Sequence, residues 1–223
     1  DAGAALAIVE HAVDVEVSQI VVADAVVALG ALAREVVRRV REKGDLKIIG
    51  ITGSNGKTTT KNFLARILSD EGETVAPVKS FNNEVGAPVT MLRVTETTRF
   101  LVSEFGAAAP GSIAHLAGLV EPDVAVVLMV GMAHAGGFGG IEETAKAKSE
   151  LVAAARVPGV AVLNADDARV WAMRDLAESR GLRVVGFGQS AAAAVHAREI
   201  EVSASGTRCV IEVAGEALPL RLR

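Results

Sequence analysis

The sequence predicts an α/β fold: a mostly parallel sheet with helices on both faces, then a small β meander near the C-terminus. Three observations predict it. Between residues 47 and 188, short β-branched runs alternate with longer stretches of helical periodicity. The short runs are almost continuously apolar, as strands buried on both faces are. After Ser190 the pattern changes to three strand-like runs at 200–202, 209–213 and 218–222.

The elements follow in order. Residues 3–10 are an apolar run, and 19–23 a short β-branched strand. Asp24 is placed to cap the helix that follows. In that helix Leu29, Leu32, Ala33, Val36, Val37 and Val40 share one face. Arg34, Glu35, Arg38, Arg39, Arg41 and Glu42 share the other, which reads as a solvated surface. Gly44 supplies the stop. Lys47–Thr52 reads as a buried strand. Residues 58–71 read as a helix with Phe63, Leu64, Ile67 and Leu68 inward. Further strands are expected at Phe100–Glu104, 124–130, Val160–Asn164 and Arg183–Gly188. Further helices are expected at 112–119, 142–155 and 167–180, and a loop at 191–194. No internal repeat is visible.

Composition excludes several functions. The chain has 223 residues, half of them apolar and 22% charged, with a net charge of −4. That balance supplies a core but no broad basic surface, so nucleic acid is not an expected partner. No apolar run reaches the length of a membrane span, and no signal peptide is recognisable. The single cysteine, Cys209, cannot form an internal disulfide, which fits a reducing, cytoplasmic setting. With no Tyr and one Trp, a base-stacking surface is not expected. The first residue is not Met and the last six alternate like an unfinished strand. The chain therefore reads as a piece of a longer protein.

The sharpest motif joins the strand at 47–52 to the helix after it: Ile49-Gly50-Ile51-Thr52-Gly53-Ser54-Asn55-Gly56-Lys57-Thr58-Thr59. Gly53 and Gly56 let the backbone turn its N–H groups toward a phosphate, and the helix N-terminus adds partial positive charge. Lys57 is placed to reach the outer phosphates, and Thr58 to set a hydroxyl on Mg²⁺. The general phosphate loop has glycine where Ile51 stands, which argues against an ordinary kinase or GTPase.

Other residues are candidates on simpler grounds. Glu104 ends a buried strand, where open α/β sheets bind ligands, and its carboxylate suits Mg²⁺. His134 follows the next strand in a glycine-rich stretch, although imidazole is not a preferred Mg²⁺ ligand. Lys146 and Lys148 lie about 200° apart on their helix. Lys148 shares its face with Ile141, Ala145, Leu151, Val152 and Ala155, whereas Lys146 shares the other with Glu142, Glu143 and Glu150. Lys148 either extends to solvent or points into the site. Asn82 and Asn83 fit an ordinary turn as well as a ligand contact. Asn164 and Asp166 close another strand, and Asp167 fits an N-cap. Trp171 reads as helix packing; His11, His115 and His196 stand in no comparable context.

The shortened loop resembles that of the Mur ligase superfamily, the ATP-dependent amide-forming enzymes of peptidoglycan synthesis. Phe81-Asn82-Asn83-Glu84-Val85-Gly86-Ala87-Pro88 resembles a segment of the MurF branch, which adds D-alanyl-D-alanine. Ala133-His134 with Gly137-Phe138-Gly139, Ala145–Glu150 and Leu163–Asp167 are similar to that branch's later motifs. Met129, Met132, the small residues 135–137, and Ala108 and Ala109 depart from its usual pattern.

The resemblance implies a division into 1–45, the tail of an N-terminal UDP-sugar-binding domain, and 46–223, an incomplete central ATP-binding domain. It implies ATP held by Gly53, Ser54, Asn55, Gly56, Lys57, Thr58, Thr59, Asn164 and Asp166. It implies two Mg²⁺ ions, served by Thr58, Glu104, His134 and Lys148, with Lys148 able to form a carbamate. Asn82 and Asn83 would contact substrate, and Lys57, His134 and Lys148 would be catalytic. The implied partners are UDP-N-acetylmuramoyl-tripeptide and D-alanyl-D-alanine, on a monomer. Two alternatives remain: a Mur-like ligase for another amino acid or for folylpolyglutamate, and a weakly active nucleotide-binding subunit.

Overall fold

The structure, a computed structural model, describes residues 3–131 and 139–222. It begins with β1 (Leu6–Val9) and β2 (Ser18–Val21), which pair in parallel as a separate two-stranded sheet. Helix α1 (Ala25–Lys43) starts at Asp24, whose carboxylate accepts the N–H groups of Val26 and Val27. This is the cap the sequence predicts.

The main body then alternates. It runs β3 (Lys47–Thr52), α2 (Lys57–Leu68), β4 (Thr74–Val75), α3 (Gly86–Met91), β5 (Phe100–Glu104), α4 (Ser112–Gly118) and β6 (Val124–Val127). It continues with α5 (Ile141–Ala154), β7 (Val160–Asn164), α6 (Ala168–Trp171), α7 (Met173–Ser179) and β8 (Arg183–Gly188). Three longer strands finish it: β9 (Val195–Ser203), β10 (Gly206–Val213) and β11 (Glu216–Leu222).

Nine strands form one sheet in the order β11-β10-β9-β8-β7-β6-β3-β5-β4. Every pairing from β4 to β9 is parallel, and β9, β10 and β11 pair antiparallel. The predicted mostly parallel sheet and C-terminal meander are both present. The meander continues the main sheet, because Phe187 and Gly188 of β8 align with Val195 and His196 of β9. From β3 the chain first builds β4 and β5 on one side, then crosses to β6 on the other. The C-terminal end of β3 is therefore a topological switch point, where such sheets open a crevice.

The two faces are covered unequally. Ile48, Leu101, Ala125, Val127, Ala161 and Leu163 lie in one cluster with buried residues of α1, α3, α4, α5, α6 and α7. On the opposite face Ile49, Ile51, Val102 and Val126 pack with Leu64 and Leu68 of α2. Ala33, Val37 and Val40 of α1 belong to the first cluster. The expected division at residue 45 thus follows a helix that shares the core of the main sheet.

Three sequence expectations change. Phe63 and Ile67 are 60% and 62% exposed, and the fully buried side chain of α2 is Lys61. The helix is tethered at its first turn by the glycine-rich loop, so the stripe 57–61–64–68 meets the sheet and residues 63 and 67 lie on its flank. The helix expected at 167–180 breaks at Ala172, beside the contact that seats the Trp171 ring on β8. A Cβ added at Gly186 would lie 2.8 Å from that ring. The strand expected at 124–130 stops at Val127, because the backbone beyond it bonds to side chains and to the β3–α2 loop. Glu150, which helical spacing sets on the face of Lys146, accepts the N–H groups of Gly111 (2.7 Å) and Ala114 (3.0 Å) at the start of α4. Among the described residues, no helix is long and apolar enough to cross a membrane.

Candidate active site

The loop from β3 to α2 is bent by two glycines. Gly53 has φ +157°, and a Cβ there would sit 2.9 Å from Leu128 Cβ. Gly56, at φ +84°, begins α2 in a left-handed conformation that a side chain would strain. Lys57 folds back, and its Nζ donates to Gly53 O at 2.7 Å. This hairpin of main chain and ammonium frames a space at the positive end of α2, suited to an anion. Asn55 and Thr59 stand exposed at its rim.

Ser54 faces the other way. Its N–H donates to Met129 O (2.9 Å). Its hydroxyl accepts from Gly131 N (2.8 Å) and donates to Gly131 O (3.2 Å). The side chain therefore fastens the loop to the segment after β6.

Beside the loop, Thr58, Glu104 and Asn82 form a chain. Thr58 Oγ1 donates to Glu104 Oε2 (3.0 Å), and Asn82 Nδ2 donates to Glu104 Oε1 (2.8 Å). Ser80 Oγ lies 3.5 Å from Thr58 Oγ1. Glu104 is 1% exposed, a burial tolerable because both of its oxygens are bonded. Its strand end, the first turn of α2 and the loop before α3 meet at the switch point. All of these donors are oxygen or amide groups, the hard ligand chemistry Mg²⁺ requires. Among the described residues, no three His, Cys, Asp or Glu side chains gather as a metal cluster.

Lys148 reaches the same region from α5. It is 4% exposed, whereas Lys146 is a surface residue near Glu143. Burial, reinforced by the charge of Lys57, pushes the Lys148 ammonium down to about 8. Helical spacing separated these two lysines correctly.

The remaining sequence candidates are placed apart from this chain of contacts. Asn83 Oδ1 accepts Gly86 N at the start of α3. Asn164 Nδ2 donates to Leu128 O, and its Oδ1 accepts Asp166 N. The Asp166 carboxylate accepts the N–H groups of Gln189 and Ser190 after β8. Asp167 caps α6, and its second oxygen accepts Val130 N at 2.7 Å. His134 lies outside the described residues. Sequence reasoning missed Ser80, the Ser54–Gly131 clasp and buried Lys61. Only Lys61 left a trace, at the spacing of one helical turn from Lys57.

A parallel sheet whose central strand runs into a glycine-rich turn and a helix headed by Lys-Thr defines a phosphate-loop α/β domain. Residues 51–223 match the Mur ligase middle domain, and the chain belongs to that family. It is 49% identical over 157 residues to the UDP-N-acetylmuramoyl-tripeptide–D-alanyl-D-alanine ligase of Mycobacterium leprae, covering 70% of this chain and 30% of that protein. Its fold is similar to MurF from Acinetobacter baumannii, with a TM-score of 0.89, 34% identity, and coverage of 99% of this chain and 47% of that one. It is also similar to the MurF ligase of Thermotoga maritima in complex with ADP, with a TM-score of 0.85, 29% identity, and coverage of 98% and 49%. The chain thus spans less than half the length of these relatives.

Proposed function

We propose that this chain is the nucleotide-binding part of an ATP-dependent ligase that joins D-alanyl-D-alanine to UDP-N-acetylmuramoyl-tripeptide. The observation that carries the reading is the Thr58–Glu104–Asn82 chain set against the Lys57 loop, in a fold shared with MurF ligases. In this reading residues 46–223 belong to the central domain, and residues 1–45 lead in from a UDP-sugar-binding domain.

In the reaction, a carboxylate oxygen of the tripeptide attacks the γ-phosphorus of ATP, the bond to ADP breaks, and an acyl phosphate forms. The amine of D-alanyl-D-alanine then attacks the acyl carbon. Phosphate leaves with the bonding electrons, and the amine loses a proton as the amide forms. Two anions meet in the first step, so fixed positive charge is the main requirement. The backbone N–H groups of residues 53–57 and the N-terminus of α2 would hold the phosphates. Lys57 would exchange its bond to Gly53 O for the outer phosphates. Thr58 and Glu104 would hold Mg²⁺, which supplies charge neutralisation between the phosphates and the incoming carboxylate. Asn82, fixed by Glu104, would present its carbonyl to substrate, with Asn83 beside it at the start of α3.

Lys148 is the residue proposed for a second Mg²⁺. An amine whose pKa has fallen to about 8 is partly neutral near pH 7, and the neutral form adds CO₂ and releases a proton to give a carbamate. The anion so formed is a hard oxygen ligand, which the ammonium is not.

The first test is a calorimetric titration of this chain with Mg·ATP. We expect binding that Lys57→Ala weakens at least tenfold. Equal affinity in the two proteins would overturn the loop assignment. Phosphate release by the ligase containing this chain, measured with UDP-N-acetylmuramoyl-tripeptide and a panel of amines, then tests the substrates. Release that favours another amine would point to a different ligase. ATP binding without release for any amine would point to a nucleotide-binding subunit.

A further inference from the structure

Lys61 has no part in the chemistry above, yet it is among the largest fully buried side chains of the described residues. It is 1% exposed, and its Nζ donates to the carbonyl of Pro77 at 2.7 Å. No carboxylate is bonded to it among the described residues. A lysine in such a place is costly, and an apolar residue would fill the stripe of α2 with less penalty. What the ammonium provides is a strong bond to one particular main-chain atom.

That atom begins the segment from β4 to α3. Three residues after Pro77, Ser80 approaches Thr58. Two residues further on, Asn82 bonds to Glu104, and its carbonyl accepts Gly106 N at 2.9 Å. Pro77 to Asn82 has no strand or helix of its own. It is held against the site at one end by Lys61 and at the other by Glu104 and Gly106. Lys61 lies one turn beyond Lys57 on the helix that the phosphate loop starts, so a single rigid element places both the phosphate lysine and this tether.

We propose that Lys61 is a positioning residue, which fixes the 77–82 segment so that Asn82 and Ser80 stand at the Glu104–Thr58 pair when the acid substrate binds. The substrate part of this statement rests on the proposed ligase function; the tether itself does not.

The test compares Lys61→Met, which keeps the length and removes the donor, with Lys61→Gln, which keeps a neutral donor of shorter reach. Hydrogen exchange by mass spectrometry reads the tether directly. Lys61→Met is expected to speed exchange in peptides spanning residues 77–86 and 104–106 on the order of tenfold, the loss of one charge-assisted bond, with Lys61→Gln between it and the parent. Protection of β3, β6 and β7 should not change. Calorimetry on the ligase containing this chain should show Mg·ATP affinity within twofold of the parent and a tenfold weaker affinity for UDP-N-acetylmuramoyl-tripeptide. Unchanged exchange at 77–86 would overturn the proposal. So would protection lost evenly across the sheet, or failure of both variants to fold, since either makes Lys61 a general core element. If the ligase containing this chain shows no affinity for the tripeptide while exchange changes as expected, the ligase reading fails and the tether stands.

Discussion

Replacing Lys148 with methionine should make the protein more stable at neutral pH. Lys148 lies on the apolar stripe of α5, is 4% exposed, and titrates near 8 against an ordinary 10.5. The causes are burial first and the nearby charge of Lys57 second. Below pH 8 the folded and unfolded chains both carry the proton, and the folded one bears the full cost of a buried charge. Between pH 8 and 10.5 the unfolded chain keeps a proton that the folded chain has lost. Stability therefore rises with pH across that window. A depression of this size corresponds to about 3 kcal/mol. Methionine removes the charge and keeps the length, so Lys148→Met should gain about 1–3 kcal/mol at pH 7. The gap should close as pH approaches 10. Urea unfolding of both proteins at several pH values, in CO₂-free buffer, measures it. Every other titrating group is common to the two, so their difference isolates Lys148. A variant less stable than the parent at pH 7, or a gap independent of pH, would refute the reasoning. The expected result would mean that a stabilising replacement is available and the lysine is present for its chemistry.

Two further outcomes follow from local geometry. Asp24→Ala removes a carboxylate that accepts two N–H groups at the start of α1, and should cost about 1 kcal/mol in urea unfolding. Glu104→Gln keeps the shape at the strand end but removes the charge between Thr58 and Asn82. Binding of ATP titrated against Mg²⁺ should then require at least tenfold more metal, while ATP affinity without metal changes little.

Much of this arrangement is legible along the chain. The strands at 47–52, 100–104, 160–164 and 183–188 coincide with the predicted runs, because a strand buried on both faces must be apolar throughout. The loop at 53–56 is legible because only glycine tolerates its backbone angles, and Lys-Thr can be useful to a phosphate only at the head of a helix. Helix α2 is where the reading went astray. Phe63 and Ile67 outrank Lys61 in hydrophobicity, but the helix is rotated by its tether to the loop and not by its own moment. Met129 is one of the expected departures from the MurF pattern, and its carbonyl receives Ser54 N–H, a contact that depends on backbone and not on side chain.

By itself the sequence determined the alternation of strands and helices, the place of the glycine-rich loop and which of Lys146 and Lys148 lies on the apolar stripe of its helix. Each of these depends on residues within a few positions of one another. Tertiary structure alone decided which distant groups meet. Glu104 joins Thr58, 46 residues earlier, and Asn82, 22 residues earlier. Ser54 clasps Gly131, 77 residues later, and Lys61 finds the carbonyl of Pro77. Strand order brings these partners together: β3 lies between β5 and β6, and no local periodicity encodes that neighbourhood. The physical reason is range, since helical and strand preferences act over one or two turns of chain, while the site is assembled by packing across the sheet.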